Sequence, residues 1–295
     1  MDLHTLNVFL TVARERSFSI AAERLFRTQP AVSLAVQRLE SAVDEKLLDR
    51  SGRHLVLTDA GELVLEYALR FENLSRELEQ ALAELRDKAA GKLAIGANES
   101  TTLYLLKHIH QFRGLYPKVK VEIRRSLSST LPAAILRGDL ELGAISYEPN
   151  DERLASNIIY VDRLCFVVSP RHRLAEQENA SIRELGEETF IAHNVASPYR
   201  QLVLEAFQKN RVPLNMDLEM PSVESIRRMV EAYEGVAFLP KMCVEEDLRQ
   251  GRLHEVKVEE LQIDRNIRLI YPRQRRLSYA TRAFLDLLTE TNLSL

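Results

Sequence analysis

FSIAAERLFRTQPAVSLAVQRL, residues Phe18 to Leu39, decides the fold. Ala21, Ala22 and Leu25 share one face of a first short helix. Val32, Val36 and Leu39 recur at helical spacing in a second, which leaves Ser33 and Gln37 on another face. Between them lies the polar break Arg27-Thr28-Gln29-Pro30. Pro30 suits the first turn of a helix, where its missing N–H costs nothing, and Thr28 stands at the N-cap position. The spacing predicts helix, tight turn, helix, the outline of a unit that reads the major groove of DNA.

Outward from this unit, Leu3, Leu6, Phe9, Leu10 and Ala13 form the apolar face of a preceding helix. Glu40 to Lys46 reads as polar and helical. Two short strands, 47–50 and 54–57, then flank Ser51-Gly52 as a hairpin. A hairpin there is a wing, with Arg50 and Arg53 at its tip, where they would meet phosphates or a minor groove. Residues 1–58 hold 8 Lys/Arg against 7 Asp/Glu, so pattern rather than charge points to nucleic acid.

Thr58 or Asp59 caps a long helix that Gly91 ends. Ala60, Val64, Tyr67, Phe71, Leu74, Leu78, Ala81 and Leu85 step alternately by four and three. Such a heptad seam needs a partner helix, and at about 1.5 Å per residue it is roughly 45 Å long. Val64, Tyr67, Phe71, Leu74, Leu78 and Leu85 are the expected dimerisation residues.

Beyond Gly91 the texture becomes β-α-β-α-β: strands near 93–96, 119–123 and 140–145, helices at 102–115 and 131–137. The rhythm resumes with strands near 163–168, 190–192, 216–220, 236–240 and 265–271. Helices are expected at 197–210, 222–233, 241–250 and 278–291. Two α/β lobes follow, with the chain crossing between them near 161–163 and returning near 264–267. Ligands of open α/β sheets bind beyond the carboxyl ends of strands. The strand-end loops are polar: 98–102, 126–130, Ser146, 193–194, Ser197 and 222–225. Helix N-termini at Ser100, Ser128, Ser197 and Ser222 would favour an anion, and Arg200 could add a charge-assisted bond to a carboxylate.

Two cysteines, Cys165 and Cys243, lie far apart among 295 residues and give no disulfide framework. Cys165 reads as core, while Cys243 near a helix start raises the question of a peroxide-sensing thiol. His108 and His110, two apart, make a poor metal pair, and neither a metal nor a cofactor is expected. The start, MDLHTLNVFLTVARERSFS, lacks a basic leader segment, and no apolar run nears 18 residues, so the chain is expected in the cytoplasm. A His193–Glu224 dyad is a catalytic alternative that the spacing does not favour.

Leu6-x-x-Phe9, Ser17-Phe18-Ser19-x-Ala21-Ala22-x-x-Leu25, Gln29-Pro30-Ala31-Val32-Ser33, Leu39-Glu40, Leu47-Leu48-x-Arg50 and Leu57-Thr58-x-Ala60-Gly61 together resemble the LysR-type transcriptional regulators. Gly138-Asp139-Leu140-x-Leu142-Gly143 and Gly235-Val236-Ala237-x-Leu239-Pro240 extend the likeness along almost the whole chain. The resemblance implies an α/β protein with three parts. Residues 1–58 would be a winged helix-turn-helix and 59–90 a coiled-coil linker helix. Residues 91–295 would be a two-lobed effector domain like a periplasmic binding protein (lobe I about 91–161 and 267–295, lobe II about 162–266).

It also implies a homodimer or homotetramer on promoter DNA, with RNA polymerase a further candidate partner, and no enzymatic activity. By motif position the DNA-reading residues are Thr28, Gln29, Pro30, Ser33 and Gln37, with Arg50 and Arg53 in the wing. The effector residues are Ser100, Thr101, Ser128, Ser129, Thr130, Asn194, Ser197 and Arg200. The chain departs from the family at Leu34, where a basic residue is common, and at Phe26, where a small one is. Tyr233 stands in a usual Gly place, where it would narrow the cleft, and Glu234 and Glu99 would repel an anion there. The alternative is a small-molecule-binding protein or enzyme whose amino-terminal unit mediates protein contacts.

Overall fold

A computed structural model describes residues 2–49, 55–86, 91–195 and 197–292. Its contacts divide the chain into two units, with the boundary near residue 88. Among the described residues no helix is long and apolar enough to cross a membrane.

In the first unit, α1 (Leu3–Glu15), α2 (Phe18–Arg24) and α3 (Gln29–Val43) enclose a core of Leu6, Phe9, Leu10, Ala21, Ala22, Val32, Val36 and Leu39. The apolar periodicity of Phe18–Leu39 points both helices at this core, which leaves the other face of α3 outward. Thr28 is the N-cap in extended backbone, with Pro30 in the first turn, but its hydroxyl makes no cap hydrogen bond. The helix stops at Val43 rather than running to Lys46, because Asp44 turns left-handed at φ 55°. Buried Glu40 fastens this end: its carboxylate accepts from the Leu47 N–H at 3.0 Å and from Lys46 at 3.3 Å.

Strands β1 (Leu48–Asp49) and β2 (Val56–Leu57) pair antiparallel, so the hairpin forms; its tip, with Arg50 and Arg53, lies outside the described residues. The helix α4 (Asp59–Arg86) follows. Thr58 caps it by accepting from the Gly61 N–H at 3.0 Å. Gly61 is required by closeness: a Cβ there would sit 2.0 Å from the Leu47 carbonyl oxygen. Arg14 of α1 ties to Glu72 of α4 at 2.7 Å.

The second unit opens with β3 (Gly91–Ala97), α5 (Glu99–Leu115), β4 (Val119–Arg125), α6 (Leu131–Arg137) and β5 (Leu142–Ile145). Strand β3 lies between β4 and β5, parallel to both. Next come β6 (Leu154–Val168), β7 (Asn179–Ala180), β8 (Thr189–His193), α7 (Pro198–Asn210), β9 (Asn215–Met220) and α8 (Val223–Glu231). Then β10 (Ala237–Pro240), α9 (Lys241–Arg249), β11 (His254–Val258), β12 (Ile263–Pro272) and α10 (Tyr279–Asn292) complete it.

Strands β6 and β12 pair antiparallel from Leu164↔Ile263 to Leu154↔Pro272 and run through both lobes as one ribbon. The register slips once, since Ile267 faces Tyr160 while Arg268 faces Ile158, so Ile159 is the extra residue of a bulge. On the lobe I side, β12 pairs with β5 and a core gathers Leu93, Ile95, Leu105, Phe112, Leu269, Phe284, Leu287 and Leu288. On the lobe II side, β10 and β11 pair with β6, and β8 pairs parallel with β9. Two apolar clusters there centre on Phe166, Phe190 and Phe207 and on Ile191, Ile226 and Val244.

Candidate functional site

On the first unit, Gln29, Pro30 and Thr28 are exposed at the start of α3 and Gln37 is exposed two turns on, while Ser33 is half-buried. Leu34, 48% exposed, stands between them on the outer surface. Phe26, in the turn between α2 and α3, adopts φ 52° and is 96% exposed, so it packs on nothing within its own domain. The exposed part of α3 therefore offers amide and hydroxyl groups and the Arg38 guanidinium beside one leucine.

Along α4 the outward apolar row is Leu63, Tyr67, Phe71, Leu74, Leu78 and Leu82. Tyr67, Phe71, Leu74 and Leu78, four of the residues expected at a seam, are exposed in this row. Val64 is not: with Ala60, Leu65 and Leu69 it packs against the core of its own unit, and Leu63 takes the outward place. An α-helix turns every 3.6 residues rather than 3.5, so a strict heptad drifts around the helix, and its first turns here meet α1 instead of solvent. The Leu85 side chain lies outside the described ones.

In the second unit a cavity of about 920 Å³ opens between the lobes, beyond the carboxyl ends of β3 and β8. Its polar part is organised by Asn98, the N-cap of α5. The Asn98 side-chain carbonyl accepts from the Thr101 N–H at 2.9 Å and the Ser100 hydroxyl at 3.1 Å. Its amide donates to Ser128 Oγ at 2.9 Å. The start of α5 and the 126–130 loop are thus one rigid wall.

Arg265 completes that wall from β12. It lines the cavity although only 3% exposed. One guanidinium nitrogen donates to Ser100 Oγ at 3.2 Å, and another pairs with Asp162 of β6 at 3.2 Å. The Tyr199 ring lies 5.0 Å from the guanidinium. Among the described residues, the Arg265 Nε–H is buried without a hydrogen-bond partner. Asp162 also accepts from the Met242 N–H at 3.1 Å, at the start of α9. Burial raises the Asp162 carboxyl above its ordinary range, against the opposing pull of Arg265 and the Met242 N–H. A buried cation with an unpartnered donor beside a hydroxyl is a place for an anionic ligand group.

The candidates from sequence separate here. Ser100, Ser128, Ser129, Ser197 and Arg200 line the cavity. Thr101 does not: it is fully buried, the third residue of the capping box, with its hydroxyl on Asn98. Thr130 is exposed and bonds back to the Leu127 carbonyl, and Asn194 is exposed with its N–H on the Met220 carbonyl. Neither lines the cavity. Ser197 caps α7, and Arg200 is already engaged, donating to the His193 carbonyl at 3.1 Å and to Glu219 at 2.6 Å.

Glu99 lines the cavity too, but its carboxylate is occupied. It accepts from the Val223 N–H at 3.2 Å at the start of α8 and lies 3.9 Å from His193 Nε2. Burial lowers the His193 pKa, Arg125 and Arg200 push the same way, and Glu99 opposes them. Glu224 is turned to Arg227 and Arg228, so the imagined His193–Glu224 dyad does not form. Tyr233 and Glu234 stay out of the cavity; the Tyr233 ring packs over His172 and Arg171. The Tyr199 hydroxyl donates to the Ser146 carbonyl, a second tie across the lobes beside Glu99–Val223.

Cys165 is core, its thiol bonded to the Leu239 carbonyl and its pKa pushed up by burial. Burial also pushes the Cys243 thiol up to about 12. A thiol so placed stays protonated near neutral pH and is a poor nucleophile.

Sequence reading missed Arg265 and Asp162. The signal was present: Arg265 shares the period-two face of Ile267 and Leu269, an arginine in phase with core residues.

Comparison with known proteins agrees with both units. The family profile described as bacterial regulatory helix-turn-helix protein, lysR family, matches residues 3–62. The profile of the LysR substrate binding domain matches residues 86–292. A protein of Cyanophora paradoxa named a probable RuBisCO transcriptional regulator is 33% identical over 290 residues, 96% of this chain and 90% of that one. HinK, a LysR family transcriptional regulator from Pseudomonas aeruginosa, superposes with a TM-score of 0.60 at 26% identity, covering 100% of this chain and 99% of its own. The CcmR regulatory domain of Synechocystis, solved in complex with 2-PG, gives a TM-score of 0.63 at 21% identity over 68% of this chain and 97% of its own. With an exposed reading helix at one end and a ligand-sized cavity in the other unit, the chain belongs to the lysR family: it is a LysR-type transcriptional regulator with an effector-binding domain.

Proposed function

We propose that this regulator binds promoter DNA as a homodimer or homotetramer in the cytoplasm and answers to a small organic anion held between its lobes. The observation that carries the effector reading is the Ser100–Arg265 pair on the cavity wall, a hydroxyl and a buried cation whose Nε–H is unpartnered among the described residues. Ser128, Ser129, Ser197 and Arg200 complete the effector-binding set, and Tyr199 and Glu99 draw the lobes together over it.

Gln29 and Gln37 read base edges, with Thr28, Pro30 and Ser33 positioning α3. Arg50 and Arg53 of the wing meet the backbone. Tyr67, Phe71, Leu74 and Leu78 form the seam with a second copy. Effector binding shifts the population of lobe arrangements, and through the oligomer the spacing of the DNA-reading helices. No bond is made or broken. The names of the relatives make RuBisCO genes the first targets to examine, and 2-PG the first probe.

The test is fluorescence anisotropy of the full-length protein on a selected duplex, with and without 2-PG, beside thermal melting. Binding to DNA is expected to weaken steeply with salt, and 2-PG to raise the melting temperature. Salt-insensitive DNA binding, or turnover of 2-PG by the protein, would move the chain to the alternative class.

A further inference from the structure

The same cavity has a second half that an anion cannot use. Beyond the Ser100–Arg265 wall it continues into lobe II, where Leu164, Phe190, Val203, Met216, Ile226 and Phe238 line it. Phe190 and Phe238 stack with ring centroids 5.7 Å apart and planes 5° from parallel. Phe207 abuts Phe190 edge-on at 5.5 Å. These rings are fixed by their neighbours, so the chamber is preformed. A phosphate or carboxylate pushed into it would lose water and find no donor. An apolar body placed there gains the transfer free energy that the lining already sets up. At about 920 Å³ the whole cavity matches ligands of drug size.

We infer that the natural effector is an amphipathic aromatic acid. Its anionic head sits on Ser100 and the Arg265 guanidinium, and its ring lies in the lobe II chamber against Phe190, Val203, Met216 and Phe238. The inference rests on the anionic-effector reading above and adds the chemistry of the rest of the ligand. It makes Met216 and Val203, which line the chamber, specificity-determining residues. The unbranched Met216 side chain adapts to the edge of the ring.

The test is calorimetric titration of the full-length protein with acetate, phenylacetate, 1-naphthylacetate and 2-PG. Affinity is expected to rise at least tenfold from acetate to phenylacetate and again to 1-naphthylacetate. Met216→Trp, which fills the chamber, should remove most of that gain and lower 2-PG affinity by a much smaller factor. Val203→Ala, which enlarges it, should favour the larger ring. Ser100→Ala should weaken every anion alike. If 2-PG binds while the three acids show no gain with ring size, the aromatic chamber is overturned and the anion site stands. If 1-naphthylacetate binds tightly but Met216→Trp and Val203→Ala do not alter it, the assigned location is wrong. If none of the four anions binds, both the chamber and the anionic-effector reading fall.

Discussion

Arg265 and Asp162 face each other across β12 and β6, an ion pair 3.2 Å long with both side chains buried. It sits on the ribbon that the two lobes share. Removing one partner leaves the other charge in a low-dielectric place, which costs about 3–5 kcal/mol. Arg265→Leu should therefore lower the unfolding free energy by about that amount, and Arg265→Leu with Asp162→Leu should recover most of it. Urea unfolding of the two variants and the parent reads this directly. Equal losses in single and double variants would show that the charges do not support each other.

Gln29 is exposed at the start of α3 and contributes nothing to the core. Gln29→Ala should weaken specific DNA binding by about 1–3 kcal/mol with the melting curve unchanged. Anisotropy on a selected duplex and on a scrambled one separates specific from general affinity. Unchanged specific affinity would remove Gln29 from the reading set.

The outward row of α4 makes a different kind of prediction. Leu74→Glu with Leu78→Glu should break the seam, and sedimentation should then report a species of half the parent's mass or less. Val64→Ala should leave the mass alone and lower the stability of the first unit by about 1 kcal/mol, because Val64 packs inward.

Gly61 has a backbone oxygen where its side chain would be. Gly61→Ala should cost about 1–3 kcal/mol, as an overpacked site does, since the Leu47 carbonyl belongs to the main chain leading into the hairpin. Chemical denaturation followed by far-ultraviolet dichroism measures it.

His108 is buried beside Tyr104, and burial together with Lys107 lowers its pKa to about 4 from 6.5. Between those values the unfolded chain takes up a proton that the folded one refuses. Stability is therefore fully present above about 6.5 and lost as the pH falls toward 4, by about 2 kcal/mol between pH 7 and pH 5. His108→Phe should flatten that acid limb. A parallel pH profile in the variant would place the lost stability elsewhere.

The sequence made some of this legible and hid the rest for physical reasons. Residues 18–39 carried their meaning in local periodicity, which folding preserved. The first half of β6 was not read as a strand because the Ile159 bulge shifts the alternation by one residue: Leu154 is buried on one phase and Ile159 on the other. The Ser100 region was found, but Asn98 is its organiser, since a capping side chain binds the amide three residues on. Val64 was misassigned because a heptad cannot tell a partner helix from the helix's own domain. The Arg265–Asp162 pair spans 103 residues of sequence, and no local spacing brings such partners together.

The helix that closes the core of lobe I is α10, whose Phe284, Leu287 and Leu288 pack with Phe112 and Leu105. It is translated long after the strands it covers. As the chain leaves the ribosome, the DNA-reading unit has all of its core early and can fold at once, whereas lobe I has α5 and α6 on its sheet but lacks β12 and α10 until lobe II is made. A newborn chain can therefore hold a finished DNA-reading head before the half of the molecule that senses the effector is complete.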